Sequence, residues 1–229
     1  MSTIRLWDLP TRLFHWSLVL AVAGAMVTIK LGSDWMAWHE RFGLLVVGLL
    51  TFRVIWGLVG STYARFAHFV RGPGAIRAYL RGQWQGVGHN PLGALSVLAL
   101  LGLFGFQAVT GLFANDDIAF NGPLYRLVSS DWSDTLSGWH RQTEWFLYAL
   151  VALHVLAVVF YTRVKKDNLV KPMITGRKPV TPGATAITDA TGGGVLALVI
   201  AVGIAVFVVW VANGGLVPPP PPPPENLGW

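Results

Sequence analysis

Five stretches of the chain are almost uninterruptedly apolar: Phe14 to about Leu31, Trp38 to about Val59, Leu92 to about Phe113, Trp139 to about Tyr161, and Val195 to about Ala212. Each is close to the ~20 residues a helix needs to cross a hydrocarbon core. Backbone amides and carbonyls find no partner in lipid, so such stretches satisfy them internally as α-helices. Tryptophans gather near their ends (Trp16, Trp35, Trp38, Trp56, Trp139 and Trp210), where interfacial anchors belong. The first stretch has the outline of a leader peptide, with Arg5 and Arg12 ahead of an apolar run and Ala23-Gly24-Ala25 near its end. That run continues to Ile29 and carries a histidine, which favours a retained span. The pattern predicts an all-α integral membrane protein.

The polar segments sort by charge. Residues 60–90 form a basic loop with Gly72-Pro73-Gly74 as a breaker, and residues 114–138 form an acidic one. Pro218 to Pro224 is a run of seven prolines. It predicts a stiff polyproline II spacer of roughly 20 Å, either an extended tail or a docking peptide for a periplasmic partner or neighbouring subunit. With five spans threaded in order, one side holds thirteen Lys and Arg residues and the other holds Lys30, Arg41, Arg126 and Arg141. The excess of basic residues predicts a cytoplasmic N-terminus and a C-terminus on the outer side. The second side carries eight acids, among them Glu40, Asp116, Asp117 and Glu144. These two sides are called the basic and the acidic end below.

Composition narrows the chemistry. The 229 residues are 53% hydrophobic and only 12% charged, about half the charged fraction of a soluble domain. The net charge of +6 fits basic membrane-flanking loops and gives no reason to expect nucleic acid. There is no cysteine, which excludes disulfides, thiolate-held iron–sulfur clusters and covalent CxxCH haem attachment.

Four of the six histidines lie in or at the edge of the apolar stretches: His15, His39, His140 and His154. Ionisable residues at membrane depth are costly and mark function. His140 and His154 are fourteen residues apart, so they share nearly one helix face and differ in depth by ~21 Å. The first span runs from the basic to the acidic end and the second runs back. Depth therefore matches His39 with His140 and His15 with His154. Each pair could supply both axial nitrogens to one non-covalent haem iron, from facing helices of a bundle. A lone interior histidine is as readily a packing residue or part of a proton relay. Zinc lacks donors, since each level offers two histidines and no cysteine, although Glu40 and Glu144 keep a weak metal alternative open. Arg41 and Arg141 flank the acidic-end pair, and Arg12 and Arg53 lie near the other level. Arginine suits haem propionates, but snorkelling or topology control explains these positions equally well. Gly43, Gly57, Gly102, Gly105 and Gly111 would let a macrocycle, or simply another helix, approach closely. His68 and His89 fall outside the spans; Asn90 is placed to cap the third helix and Pro91 to begin it.

These residues resemble the bacterial cytochrome b561 / nickel-hydrogenase b-type cytochrome family. The resemblance is carried by Arg5-Leu6-Trp7-Asp8, Arg12-Leu13-Phe14-His15-Trp16, Trp38-His39-Glu40-Arg41-Phe42-Gly43, Gly88-His89-Asn90-Pro91-Leu92-Gly93, Thr110-Gly111-Leu112-Phe113, Trp139-His140-Arg141 and His154. It covers roughly residues 3–178. It implies a four-helix haem-binding bundle with two b haems, ligated by His15/His154 and His39/His140, in agreement with the depth argument. The fifth helix and the tail depart from that pattern. Ala197, Ala201 and Ala205 give the fifth helix a small-residue stripe suited to packing on the bundle or on a second subunit.

The expected organisation is a four-helix membrane unit over residues 1–178, a linker and fifth transmembrane helix over 179–213, and a periplasmic polyproline tail over 214–229. The expected activity is respiratory-chain electron transfer across the membrane. It would run between quinone or quinol in the lipid and a periplasmic carrier such as a c-type cytochrome, which the acidic end would steer if basic. The alternatives are the anchoring cytochrome subunit of a larger periplasmic dehydrogenase or hydrogenase, and a haem-free transporter or proton channel built on the same histidines.

Overall fold

The computed structural model describes residues 2–84, 86–180 and 188–218. The polyproline run therefore lies, beyond its first residue, outside the described residues. The chain begins with strand β1 (Ser2–Arg5) and enters helix α1 (Leu9–Leu31). This helix starts ahead of the expected Phe14 because Asp8 caps it. The carboxylate accepts from the Thr11 amide at 2.7 Å, and Pro10 occupies the first turn, where no amide proton is needed. Gly32, at φ 95°, reverses the chain through a 3-10 turn into α2 (Met36–Val59). Helices α3 (Phe66–Phe69) and α4 (Pro73–Leu80) follow, then α5 (Pro91–Leu112). Pro73 was expected to break the chain but instead opens α4, with Gly72 as its cap. Asn90 caps α5 as expected, its side chain accepting from the Gly93 amide at 2.8 Å.

Helix α6 (Ser130–Arg163) is 34 residues long and begins well before the expected Trp139. Its first turns are polar, so hydropathy alone misses them. Ser129 caps this start, and Asp131 lies in the first turn, where the helix dipole favours an acid. The last third or so of the expected acidic loop, residues 130–138, is therefore helix. After α7 (Val170–Thr175) comes β2 (Arg177–Val180), then α8 (Val195–Ala212). The β1–β2 pair, antiparallel with Arg5 opposite Arg177, was not expected from the sequence.

Among the described residues, five helices are long and apolar enough to cross a membrane: α1, α2 with its preceding turn, α5, α6 and α8. Helix α2 lies at the centre, packed against α1, α5 and α8. The small-residue stripe of α8 faces the bundle: Ala201 and Ala205 are buried, and Gly48 of α2 lies so close to Val209 that a Cβ there would come within 2.7 Å. Leu20, Leu153, Leu156, Val195 and Leu196 are exposed on the outward faces, as lipid-facing positions should be. Inside, Ala21, Val46, Leu50, Phe104 and Leu147 form one apolar cluster drawn from α1, α2, α5 and α6. Leu147 is midway between His140 and His154 in sequence, so this cluster separates the two histidine levels.

The basic end is closed by a small cap. The amides of Leu6 and Trp7 donate to Gly176 O at 2.8 and 3.1 Å, and the Ala190 amide donates to Arg5 O at 2.7 Å. Ile4, Leu6, Trp7, Tyr63 and Ala190 pack beneath these bonds. At the acidic end Asn115 ties the α5–α6 connection to α6, its amide donating to Ser137 Oγ at 2.9 Å and its side chain to Ser133 Oγ at 2.7 Å.

Candidate haem-binding sites

At the acidic end the rings of His39 and His140 stand edge to face, with centroids 6.2 Å apart and planes 86° apart. The Nδ1 of His39 donates to Ala25 O at 2.9 Å, and that of His140 donates to Gln107 O at 2.9 Å. A carbonyl can only accept, so each Nδ1 carries the proton and each Nε2 presents a lone pair. Imidazole binds first-row metals at about 2.0–2.1 Å, and two such bonds plus the near halves of two rings span about 6 Å. The observed separation therefore fits one ion between two imidazoles.

The space around the pair fits a large flat ligand. A cavity of about 430 Å³ is lined by His39, Gly43, Phe104, Gly111, His140 and Leu147 among others, within the range of cofactor pockets. At Gly43, one turn past His39, a Cβ would meet nothing within 4 Å. Gly111 is needed for a different reason: a Cβ there would lie 2.9 Å from His140 Cε1. Among the described residues no group of three or more His, Cys, Asp or Glu comes together to hold a metal, so a four-donor zinc site is not built here. Two imidazoles and an apolar slot match a metal that brings its own equatorial ligands, as haem iron does.

His15 of α1 and His154 of α6 both lie toward the basic end of their helices. Among the described residues the Nδ1 of His15 is buried without a hydrogen-bond partner. A third imidazole, which the sequence reading leaves outside the spans, lies half-buried at this level. His89 sits with its ring 4.8 Å from that of Trp7 and 4.6 Å from that of Phe69. Burial, and then the charges of Arg53, His154 and His15, push it down to about 3, so it is neutral at physiological pH. Its position just ahead of the Asn90 cap places it at the mouth of α5. His68 packs against the Tyr63 ring and is lowered by burial and then by Arg71 and Arg65.

The four arginines diverge. Arg53 is 3% exposed; its Nη1 donates to Ala64 O at 3.1 Å and its guanidinium lies over the Phe66 ring at 4.8 Å. Arg12 ties α1 to α7 through a 2.5 Å bond to Ile174 O. Arg141 lines the acidic-end cavity. Arg41 lies over the Trp38 ring at 4.8 Å, away from the residues that line that cavity. The sequence reading also missed Gln107, which bridges α5 to α6, and Lys30, which pairs with Glu144 at 2.7 Å.

A helical membrane bundle with facing imidazoles around an apolar slot defines a membrane cytochrome. The chain belongs to the prokaryotic cytochrome b561 family, whose model matches residues 6–176. It is accordingly a multi-pass membrane protein of electron transport, with b-type haem as its cofactor. It is similar to the probable Ni/Fe-hydrogenase B-type cytochrome subunit of Azotobacter vinelandii, at 25% identity over 76% of this chain and 88% of the relative. A second relative is the probable Ni/Fe-hydrogenase 1 B-type cytochrome subunit of Escherichia coli (strain K12), at 23% identity over 74% and 88%. No solved structure matches the chain significantly.

Proposed function

We propose that the chain carries electrons across the bacterial inner membrane through two b haems, one held by His39 and His140 and the other by His15 and His154. The facing acidic-end imidazoles, each with its Nδ1 tied to a carbonyl, carry the reading. Bound haem supplies one-electron Fe(III)/Fe(II) chemistry whose potential follows axial ligation, burial and nearby charge. The chain's own part is placement. α6 contributes one histidine to each level and sets them ~21 Å apart. The apolar cluster around Leu147 keeps water out between them. Arg53, and at the other end Arg141, are positioned to receive propionates. Residues 1–178 form the haem-binding unit in this reading. The basic end faces the cytoplasm, a quinone or quinol exchanges electrons from the lipid, and a periplasmic redox protein docks at the acidic end.

A second reading assigns the chain as the membrane-anchoring cytochrome subunit of a larger dehydrogenase or hydrogenase. The relatives named as Ni/Fe-hydrogenase B-type cytochrome subunits favour it. Affinity purification from native membranes distinguishes the two, since a stoichiometric metalloenzyme subunit is expected only for the second.

The purified protein is expected to show a Soret band, a split α band on reduction, and two haems per chain by haemochrome assay. A single haem, or no Soret band, would sink the two-haem wire. Gly111→Ala tests the acidic-end site, because its Cβ would push the His140 ring off its carbonyl. We expect that one haem to be lost preferentially, by about tenfold in retention, with the other unchanged in the same titration.

A further inference from the structure

Gln107 is the one amide side chain in α5, among residues that are otherwise almost wholly apolar. A polar side chain at membrane depth is retained where it satisfies another group. Here both polar atoms of the side chain, and the residue's own carbonyl, reach the His140 segment, while Thr110 Oγ1 also donates to that carbonyl at 3.1 Å. Its Nε2 donates to His140 O at 2.9 Å. Its Oε1 lies 2.5 Å from Thr143 Oγ1, whose one proton it shares as acceptor with Trp139 O at 2.7 Å. Its backbone carbonyl accepts from His140 Nδ1 at 2.9 Å. Thr110 Oγ1, one turn further along α5, stands 3.3 Å from the same Nδ1.

We propose that Gln107, with Thr143, is a positioning residue that clamps α6 against α5 and so fixes the rotation and basicity of the His140 imidazole. The proposal rests on the reading of His39 and His140 as axial ligands. The geometry is reciprocal: the ring hangs from the Gln107 carbonyl while the Gln107 amide holds the carbonyl of the residue that bears the ring. Sliding or rotating α6 breaks both bonds together. An Nδ1–H bond to a carbonyl also pushes electron density toward Nε2, which strengthens it as a donor and favours the oxidised metal. His39 has one such bond, to Ala25 O, and, among the described residues, no comparable clamp. The clamp therefore controls the 86° between the two ring planes as well as the potential. Near-perpendicular axial planes leave two iron d orbitals almost degenerate, and a low-spin ferric EPR signal becomes strongly anisotropic as a result.

The test uses the full chain purified in detergent, with four variants: Gln107→Leu, Thr143→Val, Thr143→Ser and His140→Ala. The haem lost in His140→Ala identifies the affected centre. In Gln107→Leu both haems are expected to remain. The midpoint of that one centre should rise, by roughly tenfold in its reduction equilibrium, about 59 mV for one electron. Its EPR signal should move, while the other haem is unchanged. Thr143→Val should shift the same centre in the same direction by less, and Thr143→Ser, which keeps the hydroxyl, should return it to the parent value. Unchanged potential and EPR in both Gln107→Leu and Thr143→Val would overturn the clamp, as would equal shifts of both haems. If Gln107→Leu fails to assemble, the Thr143 pair decides by the same readouts. If His140→Ala keeps both haems, the ligand assignment itself fails, and the clamp with it.

Discussion

Replacing His140 with alanine should remove one haem per chain, and replacing His39 should remove the same one. His15→Ala and His154→Ala should each remove the other. The expected loss at the affected centre exceeds tenfold in occupancy, because changes outside the first ligand shell already cost 10–100-fold at metal sites. A two-wave redox titration would become a single wave, and haemochrome content would fall from two per chain toward one. The expectation follows from helix geometry: fourteen residues are nearly four turns, so His140 and His154 share a face of α6 at different depths. α1 and α2 run in opposite directions, which brings His39 to one level and His15 to the other. The ring centroids of His39 and His140 stand 6.2 Å apart, which leaves room for one ion between them under this proposal. If His15→Ala and His39→Ala deplete the same haem, the pairing is wrong.

The spans were legible because lipid demands long apolar helices and little else, and α8 appears at its expected bounds, Val195–Ala212. The starts of α1 and α6 were less so. Asp8 and Ser129 begin those helices in polar sequence, where caps decide and hydropathy is silent. The two histidine levels are proposed from direction and spacing alone. What surrounds these residues could not be read that way. His89 reads as a loop residue, yet the cap formed by β1, β2 and the segment around Ala190 closes over the basic end, and His89 lies half-buried against Trp7 and Phe69. Gln107 reads as one polar residue in an apolar run. Its role appears only when α6 is rotated to bring His140 and Thr143 to it. Arg41 shows the converse: its neighbour in sequence, His39, turns inward, and the helix carries the guanidinium away onto Trp38.

Arg53 carries the second large effect, and its sign should reverse with the cofactor. The guanidinium is 3% exposed, makes one hydrogen bond, to Ala64 O, and lies over two phenylalanine rings. Among the described residues the carboxylate ion pairs are Lys30–Glu144 and Lys178–Asp167, so Arg53 has none. Asp8, whose charge it does sense, already accepts from the Thr11 amide and from Trp56 Nε1. A buried cation without an anion costs several kcal/mol unless a ligand brings the counter-charge, and a haem propionate at the His15/His154 level would do so. Arg53→Leu should therefore raise the thermal stability of the haem-free protein, by about 1–4 kcal/mol where an apolar side chain replaces a buried ion. In the loaded protein the same substitution should speed loss of the basic-end haem by roughly 10- to 100-fold, the worth of a charge-assisted bond. Arg53→Lys keeps the charge but not the planar fork, and should fall between the two. Haem transfer to apomyoglobin measures the release, and thermal melts of apo and loaded protein measure the stability. If Arg53→Leu destabilises the apo protein, or leaves the release rate unchanged, Arg53 serves the packing of α2 against α3 and holds no propionate.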